Sequence, residues 1–279
     1  MKIKKPRSQD RSKKRNPNRH SAQRPSSHED TRRPRFSRDL SILYEDDAVI
    51  VIDKPAGLLA VPIKGSATPS AWSLLAEKLE RKKQRALIVH RIDRFSSGAL
   101  LFAKTAPDRE SLVRQFLAHT PVRQYLAALR HRIANSTTDE PRTLAHYFRR
   151  EGMYQQLRTA KDPEASRAEL RYSVERLFPD ASLVRVELVT GLQNQIRAQF
   201  LALGHPVIGD RKYRRAESSE PLIDRVALHA AHLEFIHPRS RKNISIDCKV
   251  PPDFQHLLRE LARAKPAPVS PALNKQRKR

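Results

Sequence analysis

The chain has a single cysteine, Cys248, among 279 residues. This excludes an intrachain disulfide and a cysteine-based zinc site, and it suits a reducing compartment. No apolar run approaches the roughly 18–20 residues a membrane span requires. The first residues are charged with no apolar core behind them, unlike a secretory signal. Eleven histidines form neither an H-x-x-x-H nor an H-E-x-x-H pattern, so no metal is expected. Glycine is scarce, at seven residues, and a sequence this sparing keeps glycine where a tight turn or a close backbone approach needs it. Acidic residues are the last shortage: 30 against 55 Lys and Arg, a net charge of +25.

That charge is uneven. Residues 1–40 carry fourteen Lys/Arg against four Asp/Glu and residues 261–279 six against none, leaving +9 for the middle. Segments 1–38 and 265–279 are rich in basic residues and proline and poor in large apolar ones. They cannot bury enough surface to offset their ordering entropy, so both read as disordered basic tails flanking a domain over 39–264. A middle that is itself basic suits a polyanion partner.

Inside 39–264 the pattern is rich in strands. Strands are predicted at 41–44 and 48–52, around the turn Glu45-Asp46-Asp47, and then at 86–89, 99–103 and 122–129. Further strands follow at 168–174, 183–189, 227–235 and 243–248. Helices are predicted from Pro69-Ser70, with Trp72, Leu75 and Leu79 on one face, from Pro107 to about His119, over 195–203, and from Pro252. Residues 131–166 are polar and weakly periodic and read as an insertion or a long hairpin. Strands arriving mainly as hairpins give an α+β fold with a mixed, mostly antiparallel β-sheet core and flanking helices.

The most informative segment is His90-Arg91-Ile92-Asp93-Arg94-Phe95-Ser96-Ser97-Gly98, running through Ala99–Ala103 to Lys104. It sets one carboxylate between two arginines, after one apolar run and before another. An acid among fixed cations is held in its ionised form, able to act as nucleophile or electrostatic stabiliser. The segment resembles the signature H-R-L-D-x-x-T-S-G-x-x-x-x-A-K of the RluA-type pseudouridine synthases, with Ile92 for Leu and Ser96 for Thr. Further matches follow the same order. Asp53-Lys54-Pro55-Ala56-Gly57-Leu58 resembles D-K-P-x-G-L, and Arg123-Gln124-Tyr125-Leu126-Ala127 resembles K-x-Y-x-A. Thr190 to Arg197 resembles T-G-R-x-H-Q-I-R, with Leu192 in place of Arg and Asn194 in place of His. Gly204-His205-Pro206 through Tyr213, and Leu228-His229-Ala230 through Pro238, resemble G-H-P-x-x-G-D-x-x-Y and L-H-A…F-x-H-P. Five of the seven glycines lie in these matches.

The resemblance implies an RNA uridine isomerase with a pseudouridine synthase-like fold. It casts Asp93 as nucleophile, Tyr125 as the aromatic stacked on the target uracil, and Arg197 as the cation paired with the aspartate. A guanidinium fork would grip that carboxylate bidentately. RNA contacts are expected from Arg91, which helps fill the space left by a flipped base, and from His90, Lys54, Arg94, Gln195 and Lys104. His205, His229 and His237 read as structural. Isomerisation involves no redox change, so no cofactor and no metal are expected. The partner is ribosomal or transfer RNA, with no membrane, and the protein is taken to be a cytoplasmic monomer. The Leu192 and Asn194 departures and the basic tails raise an alternative, an RNA-binding or ribosome-assembly factor with weakened catalysis. A glycosidase would need two carboxylates flanking the bond, and only Asp93 has such a setting.

Overall fold

The computed structural model describes residues 40–133, 140–213 and 222–264. The predicted basic tails, 1–38 and 265–279, lie outside the described residues. The strands are β1 (Ser41–Glu45), β2 (Val49–Lys54), β3 (Leu87–Ile88), β4 (Ser97–Ala103), β5 (Val122–Arg130), β6 (Arg142–Glu151), β7 (Tyr154–Arg158), β8 (Ser166–Phe178), β9 (Ala181–Leu188), β10 (Leu228–Ile236) and β11 (Asn243–Asp247). The helices are α1 (Ala71–Glu80), α2 (Ala106–Leu117), α3 (Gln195–Ala202) and α4 (Pro252–Arg263). The strands form one sheet in the order β1-β2-β4-β10-β5-β9-β8-β6-β7, with β11 added to β10 and β3 to β4. Among the described residues every pairing is antiparallel except β4 with β10. The sheet is therefore mixed and mostly antiparallel, as the hairpin pattern predicts.

The continuous apolar runs of β2 and β4 have a simple origin. Successive side chains of a strand point to opposite faces, and here both faces are covered. Ile50, Ile52, Leu100 and Phe102 pack with Leu75 and Leu79 of α1. Val49, Val51, Ala99, Leu101 and Ala103 pack on the other side with Leu112 of α2 and with Leu233 and Phe235 of β10. Trp72 packs against the first group and its indole N–H donates to Ala86 O at 2.7 Å. A larger core joins β5, β8 and β9 to α3 and to Phe254, Leu257 and Leu261 of α4.

Local chemistry sets the helix starts. Ser70 caps α1 in a reciprocal capping box with Ser73, which satisfies two otherwise unpaired N–H groups. Thr105 caps α2, with Pro107 in its first turn and Asp108 favourably placed near the helix N-terminus. One strand prediction needs correction. The strand expected over 86–89 shortens to Leu87–Ile88, because the following residues turn away to carry Asp93. Of the two readings of residues 131–166, the long hairpin is the one present: β6–β7 extends the sheet through β8. Its arginine-rich, half-exposed face hides the alternation that marks a strand.

The parallel pairing of β4 with β10 positions the site. His229 pairs with Ser97 and Ala230 with Gly98. Gly98 has φ +116°, and a Cβ there would lie 2.2 Å from Ala230 O. Only glycine lets β10 approach β4 at this point, which brings β4, β10 and β5 together beneath the Asp93 segment.

Candidate active site

A cavity of about 510 Å³ opens where the 89–96 segment, α2, β5 and the 188–197 segment meet. Asp93, Tyr125 and Arg197 all line it, although they are far apart in sequence. Arg197 Nη1 donates to Asp93 Oδ2 at 3.2 Å, and the Asp93 side chain is 19% exposed while that of Arg197 is 7% exposed. The pairing the resemblance implies is therefore present, but the bidentate grip falls elsewhere. Arg197 Nε and Nη2 donate to Asp210 Oδ2 and Oδ1 at 2.6 and 2.7 Å, and Nη1 also donates to Asn194 Oδ1 at 2.7 Å. Asp210, fully buried, fixes the plane of the guanidinium, and Asp93 receives one outward-facing N–H. Burial disfavours the Arg197 cation, but Asp210 and then Asp93 outweigh it and raise its pKa above the ordinary value.

Asp210 in turn accepts from the Lys212 and Tyr213 N–H groups, so the turn after Gly209 is folded around the same carboxylate. In the sequence Asp210 belongs to the G-H-P-x-x-G-D-x-x-Y match, with nothing to connect it with Arg197. A buried acid beside a tyrosine in a turn looks alike whether or not an arginine reaches it. Asn194 is likewise explained by its backbone, which is left-handed at φ 57° and ψ 22°, a region where asparagine is among the tolerated residues. Its side chain then reaches Arg197. Leu192, where the family commonly has arginine, packs against a small apolar cluster that includes Phe148, Ala198 and Tyr213.

The expected RNA contacts divide. Arg91 is exposed and lines the cavity. Arg94 is exposed too, with Nε donating to Gly57 O at 2.9 Å and its guanidinium 5.2 Å from the Phe95 ring centre. Lys54 is a correction. It is fully buried and Nζ donates to Pro55 O, Leu58 O and Arg94 O at 2.9–3.1 Å. All three ammonium N–H groups are used, so none is left for a phosphate. Burial pushes its pKa down to about 7, with the charge of Asp93 opposing. This lysine ties the 54–58 turn to the Asp93 segment, together with the Gly57 N–H on Arg94 O at 2.8 Å.

Lys104 is a second correction, since it sits at the far end of β4, buried in an ion pair with Glu45 at 2.8 Å. Gln195 is a third. It is 2% exposed, its Oε1 accepts the Leu192 N–H at 2.9 Å and its Nε2 donates to Glu169 O at 3.0 Å. It braces the 190–194 turn from within. His90 lines the cavity, but Nε2 accepts the Leu101 N–H at 3.1 Å and the ring stacks on Phe116. Burial, then the charge of Arg123, push its pKa down to about 3, so the imidazole is neutral and serves as scaffold.

Tyr125 is 8% exposed. Burial raises its phenol pKa to about 12 with Asp93 adding to the rise and Arg123 opposing it, so the hydroxyl keeps its proton at neutral pH. The three histidines read as structural all have partners: His205 at Arg130 O, His229 at Ser97 and Cys248 O, and His237 at Asp46.

Residues 48–202 match the RNA pseudouridylate synthase family. The chain is 33% identical to ribosomal large subunit pseudouridine synthase D of Zymomonas mobilis over 80% of this chain and 73% of that protein. It is also 33% identical to the dual-specificity RNA pseudouridine synthase RluA of Salmonella typhimurium, over 77% of this chain and 94% of the relative. The fold resembles human RNA pseudouridylate synthase domain containing 4, with a TM-score of 0.63 over 79% of this chain and 92% of that one at 21% identity. A carboxylate and a guanidinium meeting beside a buried tyrosine, on this sheet and in this order of motifs, thus have the company the sequence implies: the chain belongs to the RluA-type pseudouridine synthases, a family of RNA isomerases.

Proposed function

We propose that the domain over 39–264 converts uridine to pseudouridine in structured RNA, with Asp93 as the nucleophile acting on a nucleotide flipped into the cavity. The observation that carries this reading is the 3.2 Å contact between Arg197 Nη1 and Asp93 Oδ2 in the wall of a 510 Å³ cavity. Pockets of a few hundred cubic ångströms suit a single small ligand, here one nucleoside. Because Asp210 fixes the guanidinium plane, the Asp93 carboxylate has a fixed partner on one side and leaves its other oxygen for the substrate. Such preorganisation removes the need to reorient charge during the reaction.

The target base leaves its stack at a cost of a few kcal/mol and lies against Tyr125. Asp93 attacks and forms a covalent bond, the bond between uracil N1 and the ribose breaks, the base turns, and its C5 forms the new bond to the sugar as the bond to Asp93 is released. The C5 proton is lost and N1 ends protonated, so the product is an isomer. Arg91 at the cavity helps fill the space the base vacates, and the basic tails add salt-dependent contacts to phosphates without reading sequence. Relatives named for the large ribosomal subunit support ribosomal RNA as the substrate, with transfer RNA the alternative within the same class.

A second reading, an RNA-binding or ribosome-assembly factor with weakened catalysis, is favoured by one observation, Leu192 in the cavity wall where the family commonly has arginine. Pseudouridine mapping of total RNA from cells with and without the protein separates the two. Loss of a modified uridine on deletion is expected for the enzyme. An unchanged map with retained RNA binding by the purified protein favours the factor.

A further inference from the structure

Two arginines in the cavity wall stand in opposite electrostatic circumstances. Arg197 is balanced by two carboxylates. Arg123 is 8% exposed, and its Nη2 donates to Leu188 O at 3.2 Å. Its Nε is buried with no hydrogen-bond partner, and no carboxylate is paired with it among the described residues. A buried cation without a counter-charge is costly to maintain. Burial accordingly lowers its pKa, with only a small opposing influence from Tyr125.

The surroundings are built to keep the group in place. The Phe116 ring lies 6.0 Å from its guanidinium carbon. A Cβ on Gly191 would come within 2.9 Å of Nη1, so the glycine leaves the space the guanidinium occupies. His90, stacked on that same Phe116, is neutral and adds no second positive charge. Arg123 and Tyr125 leave β5 two residues apart on one face, about 7 Å along the strand, comparable to the separation of a base from the phosphate that carries it.

We propose that Arg123 forms an anion subsite of the cavity, taking the non-bridging oxygens of the phosphodiester attached to the nucleotide whose base lies against Tyr125. The inference rests on the nucleoside-pocket reading above. A phosphate completes this site where a neutral uracil carbonyl would not, because the unmet requirement is a negative charge as well as an acceptor. Arg123 thus makes the cavity favour a nucleotide within a chain over a free nucleoside.

The test is titration of the full-length protein with uridine, with uridine 3′- and 5′-monophosphate, and with inorganic phosphate, followed by NMR or calorimetry. Wild type should bind one of the monophosphates at least about tenfold tighter than uridine. Arg123→Gln should abolish that preference and leave uridine affinity within about twofold, and Arg123→Lys should keep part of it, retaining charge without the fork. Equal affinity of wild type for uridine and both monophosphates would overturn the subsite and leave the pocket standing. So would an equal loss for uridine and monophosphate in Arg123→Gln, which would put the arginine on base or sugar. If wild type binds neither uridine nor monophosphate, the pocket reading fails and takes the subsite with it. Should Arg123→Gln not fold, wild type still decides, because inorganic phosphate should displace the monophosphate and not uridine; displacement of both or of neither would overturn the assignment.

Discussion

Replacing Asp210 by asparagine separates the residue that holds Arg197 in place from Asp93, the residue proposed to face the substrate. The Asp210 side chain has no exposure, and it meets Arg197 through both oxygens at 2.6 and 2.7 Å. It also accepts two backbone N–H groups. Asparagine can still offer one oxygen, but its NH₂ would face an arginine N–H, and the buried guanidinium would lose its main counter-charge. Breaking a buried pair on one side costs about 3–5 kcal/mol. For a domain of this size that corresponds to a melting temperature lower by about 6–20 °C. Asp93→Asn is the control. That side chain is 19% exposed and holds Arg197 through one N–H at 3.2 Å, so its loss should cost no more than about 1 kcal/mol. Thermal unfolding followed by circular dichroism measures both. If D210N melted within about 2 °C of wild type, the claim that Asp210 anchors Arg197 would be wrong.

Two further outcomes follow from the same geometry. His90 has a folded-state pKa near 3 against an ordinary 6.5, so below about pH 6.5 the unfolded chain takes up a proton that the folded chain refuses. Stability therefore falls as pH drops through that window, and between pH 7 and pH 5 the His90 contribution is up to about 2 kcal/mol; urea unfolding of H90Q at the two pH values should show the difference shrinking by that amount. Gly98→Ala would place a Cβ 2.2 Å from Ala230 O at a backbone φ of +116°, so denaturant unfolding should show a loss of more than about 3 kcal/mol, and a loss under about 1 kcal/mol would mean that β4 and β10 can separate freely.

Much of the fold was legible in the sequence because its cues are local. Ser70 and Pro107 mark helix starts, and the alternation of Val184 and Val186 marks a strand half turned to the core. The β6–β7 hairpin was legible only as one of two alternatives, since its pairing with β8 leaves an arginine-rich face in solvent. The site divides in the same way. Asp93, Tyr125 and Arg197, singled out by motif order, line one cavity. Lys54, Lys104 and Gln195 were expected to contact RNA from the resemblance, yet each is satisfied internally by carbonyls, by Glu45 or by a turn. Whether a cation faces solvent or a carbonyl cage depends on contacts up to forty residues away, as between Lys54 and Arg94. The role of Asp210 was hidden for the same reason, because its partner lies on another element.

The most direct measurement is pseudouridine mapping of RNA from cells lacking the protein and complemented with either wild type or Asp93→Asn. Wild type should restore the missing modification, while D93N, folded and still binding RNA, should restore none. Full modification by D93N would show that the carboxylate beside Arg197 is not the nucleophile.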